Sequence, residues 1–355
     1  MMKRAASLSW RVVQQQMQPC PGASGIGYHS QLAAFSIMPS PSSRDRRHAG
    51  SRTWLAVARG AAGLTAASSV FASAAHAEVP STQAVTPEPA DDAARKYQRP
   101  AASELKGLPA SFTLYQYEVC PFCCKVKAFL DFHRIPYKVV EVNPLTKAEL
   151  KWSTYKKVPV LQSADTDGRI MTDSSEIITL LAAEVEAGLG PNKPSRHITA
   201  PQGAALEEEV QWRRWVDDRY VKMITANIYR SWDESVSSFK YVIDQTNWSW
   251  GTRQLARWSG ATIMWRVGAG MPKKYKIEGD LREALYSDCN AFVDAVGTHR
   301  PFLGGEQPGL ADLGVYGVLQ GVKGMPTWQD VMSHSRIKPW YQRMEAVVGA
   351  PTRVA

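Results

Sequence analysis

Tyr117-Glu118-Val119-Cys120-Pro121-Phe122-Cys123-Cys124 decides how this chain is read, because a run of strand formers stops there and a helical pattern begins on two cysteines spaced C-x-x-C. Ser111 to Tyr117 (SFTLYQY) is rich in aromatic and β-branched residues, and Lys125 to His133 (KVKAFLDFH) carries apolar residues at helical spacing. Cys120 therefore falls at a strand-to-helix turn. Pro121 suits the first helical position, where a missing amide hydrogen costs nothing. The free amides and the positive end of the helix dipole favour an anion there, which lowers the expected pKa of the Cys120 thiol and makes it nucleophilic. Cys123, one turn on, is placed to resolve a mixed disulfide, while Cys124 is expected to pack inward. Zinc would require a second cysteine or histidine pair at ligand spacing, and the other two cysteines, Cys20 and Cys289, are isolated. No metal site is expected.

The 355 residues, 44% of them hydrophobic and 21% charged, are enough for two domains behind a leader. The net charge of +9 invites a nucleic-acid reading, but +6 of it falls in residues 1–100, so it reads as an address and not as a polyanion site. Residues 1–52 hold one acidic residue, Asp45, among many serines and basic residues, the composition of an organellar transit peptide. Residues 53–77 are apolar and alanine-rich, interrupted by Arg59: either a short anchor or a sorting signal ending at Ala75-His76-Ala77. Mitochondrion is expected ahead of plastid. Residues 78–104 read as a polar, proline-rich linker.

From 105 to 187 the order strand, helix, strand, short helix (Lys147 to Tyr155), two strands, helix is that of a small α/β domain with a mixed sheet. Residues 188–203 form a second linker. From 204 to 350 the pattern turns helical, over Glu207 to Tyr229, Thr252 to Val267, Ile277 to Val296 and Leu310 to Leu319. Nine of the 12 tryptophans lie in this half and are expected mostly as core, although Trp248 to Trp250 near a break could face a ligand or a lipid surface.

Two further segments converge on the cysteines. Val158-Pro159, a proline between strand residues, reads as a bend and a candidate cis peptide, whose backbone can pair with a peptide-like ligand. Asp173-Ser174-Ser175-Glu176 opens a helix with capping chemistry that can also receive the ends of a zwitterion, although it reads equally well as an ordinary cap.

Together these segments resemble the thioredoxin-like domain of glutaredoxins and glutathione transferases. The resemblance implies Val158 and Pro159 as the backbone contact to the glutathione cysteinyl unit and Asp173 with Ser174 as the γ-glutamyl clamp. The helical half resembles the transferase branch, with Gly309 where that branch usually has a Ser/Thr cap; glycine serves there at a loss of only a few tenths of a kcal/mol. Further matches at Tyr115 to Cys123, Lys156 to Pro159, Trp212 to Trp215, Asn227 to Arg230, Leu310 to Leu319 and Lys338 to Tyr341 resemble the membrane-associated type 2 prostaglandin E synthase family over roughly residues 105–348. That resemblance implies a glutathione-binding enzyme isomerising prostaglandin H2 to prostaglandin E2 and dimerising through its helical domains. Family members also bind haem with glutathione; residues 226–276 show little that matches a haem pocket.

By the same resemblance Tyr117 hydrogen-bonds the Cys120 sulfur; for such an isomerase Cys120 is expected to activate the endoperoxide with Phe122 lining the apolar side, and Cys123 to be supporting and dispensable, since isomerisation has no net redox change. The rival readings are a glutaredoxin-like oxidoreductase, a transferase acting on electrophiles, and a non-enzymatic glutathione or haem scaffold.

Overall fold

A computed structural model describes residues 96–354, apart from 165–167, 191–197 and 242–247. The leader, the apolar segment and the linker as far as residue 95 lie outside the described residues. No helix among the described residues is long and apolar enough to cross a membrane.

Strand β1 (Phe112–Gln116) buries Phe112, Leu114 and Gln116 in alternation, the period of a pleated strand. It pairs in parallel with β2 (Tyr137–Glu141) and antiparallel with β3 (Val160–Ser163), which pairs antiparallel with β4 (Ile170–Thr172). The sheet order is β2-β1-β3-β4. A parallel pair needs a crossover, and α1 (Pro121–Phe132) provides it; α2 (Ser174–Glu186) follows β4. The helix expected from Lys147 to Tyr155 shrinks to a single 3₁₀ turn at Ala148–Leu150. Lys147 takes a left-handed backbone with φ of 48°, and the Ser153 hydroxyl bonds both the amide and the carbonyl of Tyr155, offering the chain a local alternative to a helix.

The second half is helical: α3 (Ala204–Trp215), α4 (Val221–Ile228), α5 (Trp232–Ser238), α6 (Trp250–Lys274), α7 (Leu281–Val296), α8 (Leu310–Gln320), α9 (Pro326–His334) and α10 (Lys338–Val348). The stretch read as one helix from Glu207 to Tyr229 is broken between α3 and α4 by a π turn, Val216–Tyr220. Before α8, the Asp312 carboxylate accepts the amides of Leu303, Gly304 and Gly309 and the Trp340 indole N–H. Gly309 thus starts the helix without a side chain of its own.

One apolar cluster runs through both halves, joining Phe112 and Phe129 to Trp212, Phe292 and Trp340. α8 crosses α1 so closely that a Cβ on Gly317 would lie 2.6 Å from the Lys125 Cα. This contact fixes the cysteine-bearing helix against the helical half. Of the nine tryptophans, Trp212, Trp215 and Trp340 are buried and Trp248 and Trp328 pack partly buried against the core, whereas Trp232, Trp250, Trp258 and Trp265 are exposed.

Both ends of the described chain are tied down. Tyr97 is buried although it falls in the stretch read as linker, so packed structure begins before residue 105. At the other end the tail returns to the sheet: Arg353 bridges to Tyr137 in parallel, the Val354 amide donates to the Tyr137 carbonyl, and Thr352 binds Asp131 and Ile135.

Candidate active site

Strand register assembles the site. Tyr115 pairs with Val160, and Val160 with Thr172. Beyond those pairs, at the same end of the sheet, the chain runs into the cysteine turn after β1, Val158-Pro159 before β3 and Asp173 after β4. Three segments distant in sequence are thereby brought to one edge. The Val158–Pro159 peptide is cis, Pro159 is buried and Val158 half-buried. Among the described residues the Val158 backbone makes no hydrogen bond, so its N–H and C=O are available to a ligand.

Cys120 is the N-cap of α1, half-buried, with Pro121 behind it and Phe122 37% exposed beside it. Its thiol is held below the ordinary cysteine value by the Cys123 thiol, with help from the Cys123 and Phe122 amides and Lys127, against the opposing effect of burial. Cys123 is fully buried, and burial and the bond to Cys120 push its thiol well up. The proton is therefore favoured on the inner sulfur, and the outer thiol is the more readily ionised. Cys124 packs inward as expected, its Sγ 3.5 Å from the Glu118 carbonyl oxygen, and burial raises its pKa to about 12.

Tyr117 corrects an expectation. Among the described residues its hydroxyl makes no hydrogen bond to Cys120; the link is between backbones, the Cys120 amide donating to the Tyr117 carbonyl at 3.0 Å. The Tyr117 ring packs instead on the small apolar cluster of Val142, Leu150 and Val160. Burial, then the charges of Cys120 and Cys123, keep its phenol protonated.

Asp173 is the N-cap of α2, with φ of 62°. One oxygen, Oδ1, accepts the Ser175 amide at 2.8 Å and the Glu176 amide at 3.3 Å, so the capping role is real. Its Oδ2 has no partner among the described residues and remains open to a ligand cation. Ser174 is only 4% exposed, so its side chain lies beneath the site surface.

Several residues near this edge were not singled out from the sequence. Tyr155 packs with Tyr117 on the cluster of Val142, Leu150 and Val160, and burial first, then the charges of Asp173, Glu176, Cys120 and Cys123, raise its pKa to about 12. Behind the site lies a buried polar network. Asp217, in the π turn, accepts hydrogen bonds from Lys125 Nζ, from the Ser175 hydroxyl and, at 2.7 Å, from the Tyr97 hydroxyl. Lys125 also donates to Ser175 Oγ at 2.9 Å, and Arg213 donates to Thr179 and to the Ser175 carbonyl. Burial alone would raise the Asp217 carboxyl, yet Lys125 and these hydroxyls hold it below its usual range. A single carboxylate thus secures both α1, through Lys125, and α2, through Ser175. The available signal was Lys125, a lysine set directly between Cys124 and Val126 on the inward side of α1.

The profile described as "Glutathione S-transferase, N-terminal domain" matches residues 114–189. Among curated proteins, prostaglandin E synthase 2 of Mus musculus is 38% identical over 273 residues, spanning 68% of this chain and 71% of the relative. The protein of that name from Danio rerio is 36% identical over 266 residues, 66% of this chain and 70% of its own. Among solved structures, the β-etherase LigF from Sphingobium sp. strain SYK-6 aligns with 66% of this chain and 95% of its own at a TM-score of 0.45 and 15% identity. The fold is a thioredoxin-like domain joined to a helical glutathione transferase-like domain, and the chain belongs to the prostaglandin E synthase 2 family.

Proposed function

We propose that the protein is a glutathione-binding isomerase that converts the endoperoxide prostaglandin H2 to prostaglandin E2 with Cys120 as nucleophile. The observation that carries this reading is the asymmetry of the cysteine pair: Cys120 is half-buried with a lowered pKa, and Cys123 is buried with a raised one. A readily ionised thiol beside one that burial keeps protonated suits a reaction with no net redox change, which needs no resolving cysteine.

In the proposed reaction the Cys120 sulfur bonds to one peroxide oxygen and the O–O bond breaks. The other oxygen leaves as an alkoxide and takes a proton. A base then removes the hydrogen from the carbon bearing the sulfur-linked oxygen. That electron pair forms the carbonyl, the S–O bond breaks and the thiolate returns. The phenols of Tyr117 and Tyr155, both kept protonated, suit donation to a developing alkoxide and not the role of base. Phe122, exposed beside Cys120, supplies an apolar wall.

The residues present fit glutathione: the open Val158 backbone for its cysteinyl unit, and Asp173 Oδ2 at the head of α2 for its γ-glutamyl ammonium. Bound there, it supplies a second thiol. Haem is an expectation of the family alone; around Cys120 the described side chains offer sulfur and phenol oxygen and no histidine, so we assign haem no step.

The runner-up is a glutaredoxin-like oxidoreductase or a transferase acting on electrophiles, for which the C-x-x-C pair speaks. The protein assayed in parallel with prostaglandin H2, a mixed glutathione disulfide and a chlorinated aromatic decides. Prostaglandin E2 as the main product is expected. Turnover of the disulfide or the aromatic without turnover of the endoperoxide overturns the isomerase.

The proposal extends to a homodimer formed through the helical half and to a leader that directs the chain to an organelle, mitochondrion ahead of plastid, with membrane association through residues 53–77. A fluorescent protein fused behind residues 1–100 should enter an organelle; a cytosolic signal refutes the leader.

A further inference from the structure

The cysteine turn is fastened at Glu118, just ahead of the nucleophile. The Glu118 carbonyl oxygen accepts Lys127 Nζ at 3.3 Å and the Cys124 thiol at 3.5 Å, both from α1. Its carboxylate accepts Lys127 Nζ at 2.9 Å through Oε1 and Gln116 Nε2 at 2.6 Å through Oε2, and Arg353 of the tail lies 3.8 Å from Oε2. Its backbone amide donates to Glu141 Oε1 at 2.9 Å. Gln116 and Glu141 end β1 and β2 as partners in the parallel register, which sets their side chains next to each other. Gln116 is fully buried and shares its Nε2 with Glu141 Oε2 at 3.3 Å.

Two carboxyl groups thus meet on one side-chain amide, and they are not equivalent. Glu118 faces cations: burial would raise its carboxyl, yet Lys127, then Gln116 and Arg353, hold it below its usual range. Glu141 is the one that takes a proton more easily. Burial, helped by the Glu118 charge, raises its carboxyl to about 7 against the pull of the Glu118 and Gln116 amides and of Lys127. The other titratable groups that interact with this corner are Tyr117 in the turn, Cys124 and Lys127 on α1 and Tyr241 from the helical half; all four have pKa values raised above their ordinary ones, so none of them titrates near neutral pH.

We infer that Glu141 is a positioning residue for Cys120: its carboxylate, by accepting the Glu118 amide, fixes the cysteine turn against β2 and holds the outer thiol where it reacts. A charged acceptor binds an amide roughly twice as strongly as a neutral one. Proton uptake by Glu141 therefore slackens the turn, and the reactivity of Cys120 per thiolate rises as pH climbs through neutral. The inference rests on Cys120 being the reactive thiol of the proposed function. It is read on alkylation, which does not depend on the substrate turned over.

The test is the rate at which iodoacetamide alkylates Cys120 in the full chain from about pH 5.5 to about pH 8.5, a range that spans the titration of Glu141, with the labelled cysteine located by mass spectrometry. Glu141→Gln keeps an oxygen for the Glu118 amide and removes the charge. Loss of a negative charge near a thiol favours the thiolate and by itself speeds alkylation. Slowing by about threefold at the alkaline end is expected instead, the opposite sign from electrostatics alone. The ratio of wild-type to variant rate should fall to about one at the acid end, where Glu141 of the wild type also carries a proton. Glu141→Asp keeps the charge and withdraws the oxygen from the amide. It should also be slowed at the alkaline end, and it decides the matter if the Gln variant does not fold. A Gln variant as fast as wild type or faster at the alkaline end, or a ratio that does not change with pH, overturns the inference. A wild-type Cys120 no more reactive than a free cysteine would instead overturn the choice of nucleophile on which the inference rests.

Discussion

The two helix starts at the site, Cys120 before α1 and Asp173 before α2, present the same physics with opposite outcomes. Each is a cluster of free amides at the positive end of a helix dipole. At α2 the residue in the cap position is a carboxylate, which accepts the Ser175 and Glu176 amides and closes the helix. At α1 the cap position holds a thiol that makes no capping hydrogen bond, so the Cys123 thiol first and then the nearby amides are left to favour its ionisation. A helix start whose cap is satisfied gives stability with one oxygen to spare, whereas one whose cap is unsatisfied gives a thiol that ionises more readily.

The sharpest break of the comparison is chemical. Cys120→Ser should lower endoperoxide isomerisation by about a thousandfold, about 4 kcal/mol in barrier, whereas Cys123→Ser should retain most of it. Equal loss in both variants, read from product formation, would mean dithiol chemistry and end the isomerase assignment.

The next asks whether the two starts are held by one group. Removing one partner of a buried ion pair leaves the other uncompensated, so Asp217→Ala should destabilise by about 3–5 kcal/mol in denaturant unfolding and weaken glutathione binding and Cys120 alkylation together. If only one of the two site properties falls, Asp217 does not couple α1 to α2. The depressed Asp217 carboxyl contributes stability that is present above its unfolded value and lost as pH falls through the lower folded one. Wild type should accordingly lose more stability below about pH 4 than an Asp217→Asn variant does.

A smaller effect is expected at Asp173. Asp173→Ala should remove about 1 kcal/mol of stability as a lost cap and weaken glutathione binding by about 1.5–3 kcal/mol as a lost charge-assisted contact. Calorimetry showing the stability loss with an unchanged dissociation constant would make Asp173 a cap and nothing more.

The smallest effect is a displacement on the pH axis. The alkylation rate of Cys120 should stay high below pH 8.5, where a free cysteine fades, and Cys123 should react only above it. Coincident profiles would erase the asymmetry between the cysteines.

What was legible in the sequence was what local chemistry announces. Strand formers giving way to Cys120-Pro121 marked the turn, Val158-Pro159 marked the bend, and Asp173 followed by Ser and Glu marked a helix start. Illegible were the features decided by packing between halves. Nothing local distinguishes Asp217, buried against Lys125 and Tyr97, from its neighbour Asp218, which is exposed. Trp212 and Trp258 look alike in sequence, yet the first is buried and the second exposed. The helix expected at 147–155 failed because Ser153 and the left-handed Lys147 offered the backbone a local turn that helical spacing does not register.

The return of the tail to β2 gives the molecule an order of completion. β2 is an edge strand, and an open edge is a template for pairing with another chain. Its outer side is occupied by Arg353 and Val354, more than two hundred residues later in the chain. While the polypeptide emerges from a ribosome at about 5–20 residues per second, the first half of the fold can therefore collapse early, yet its sheet edge stays uncovered until Arg353 and Val354 appear. Arg353 and Val354 act as a latch that shuts only after both halves of the fold have been made.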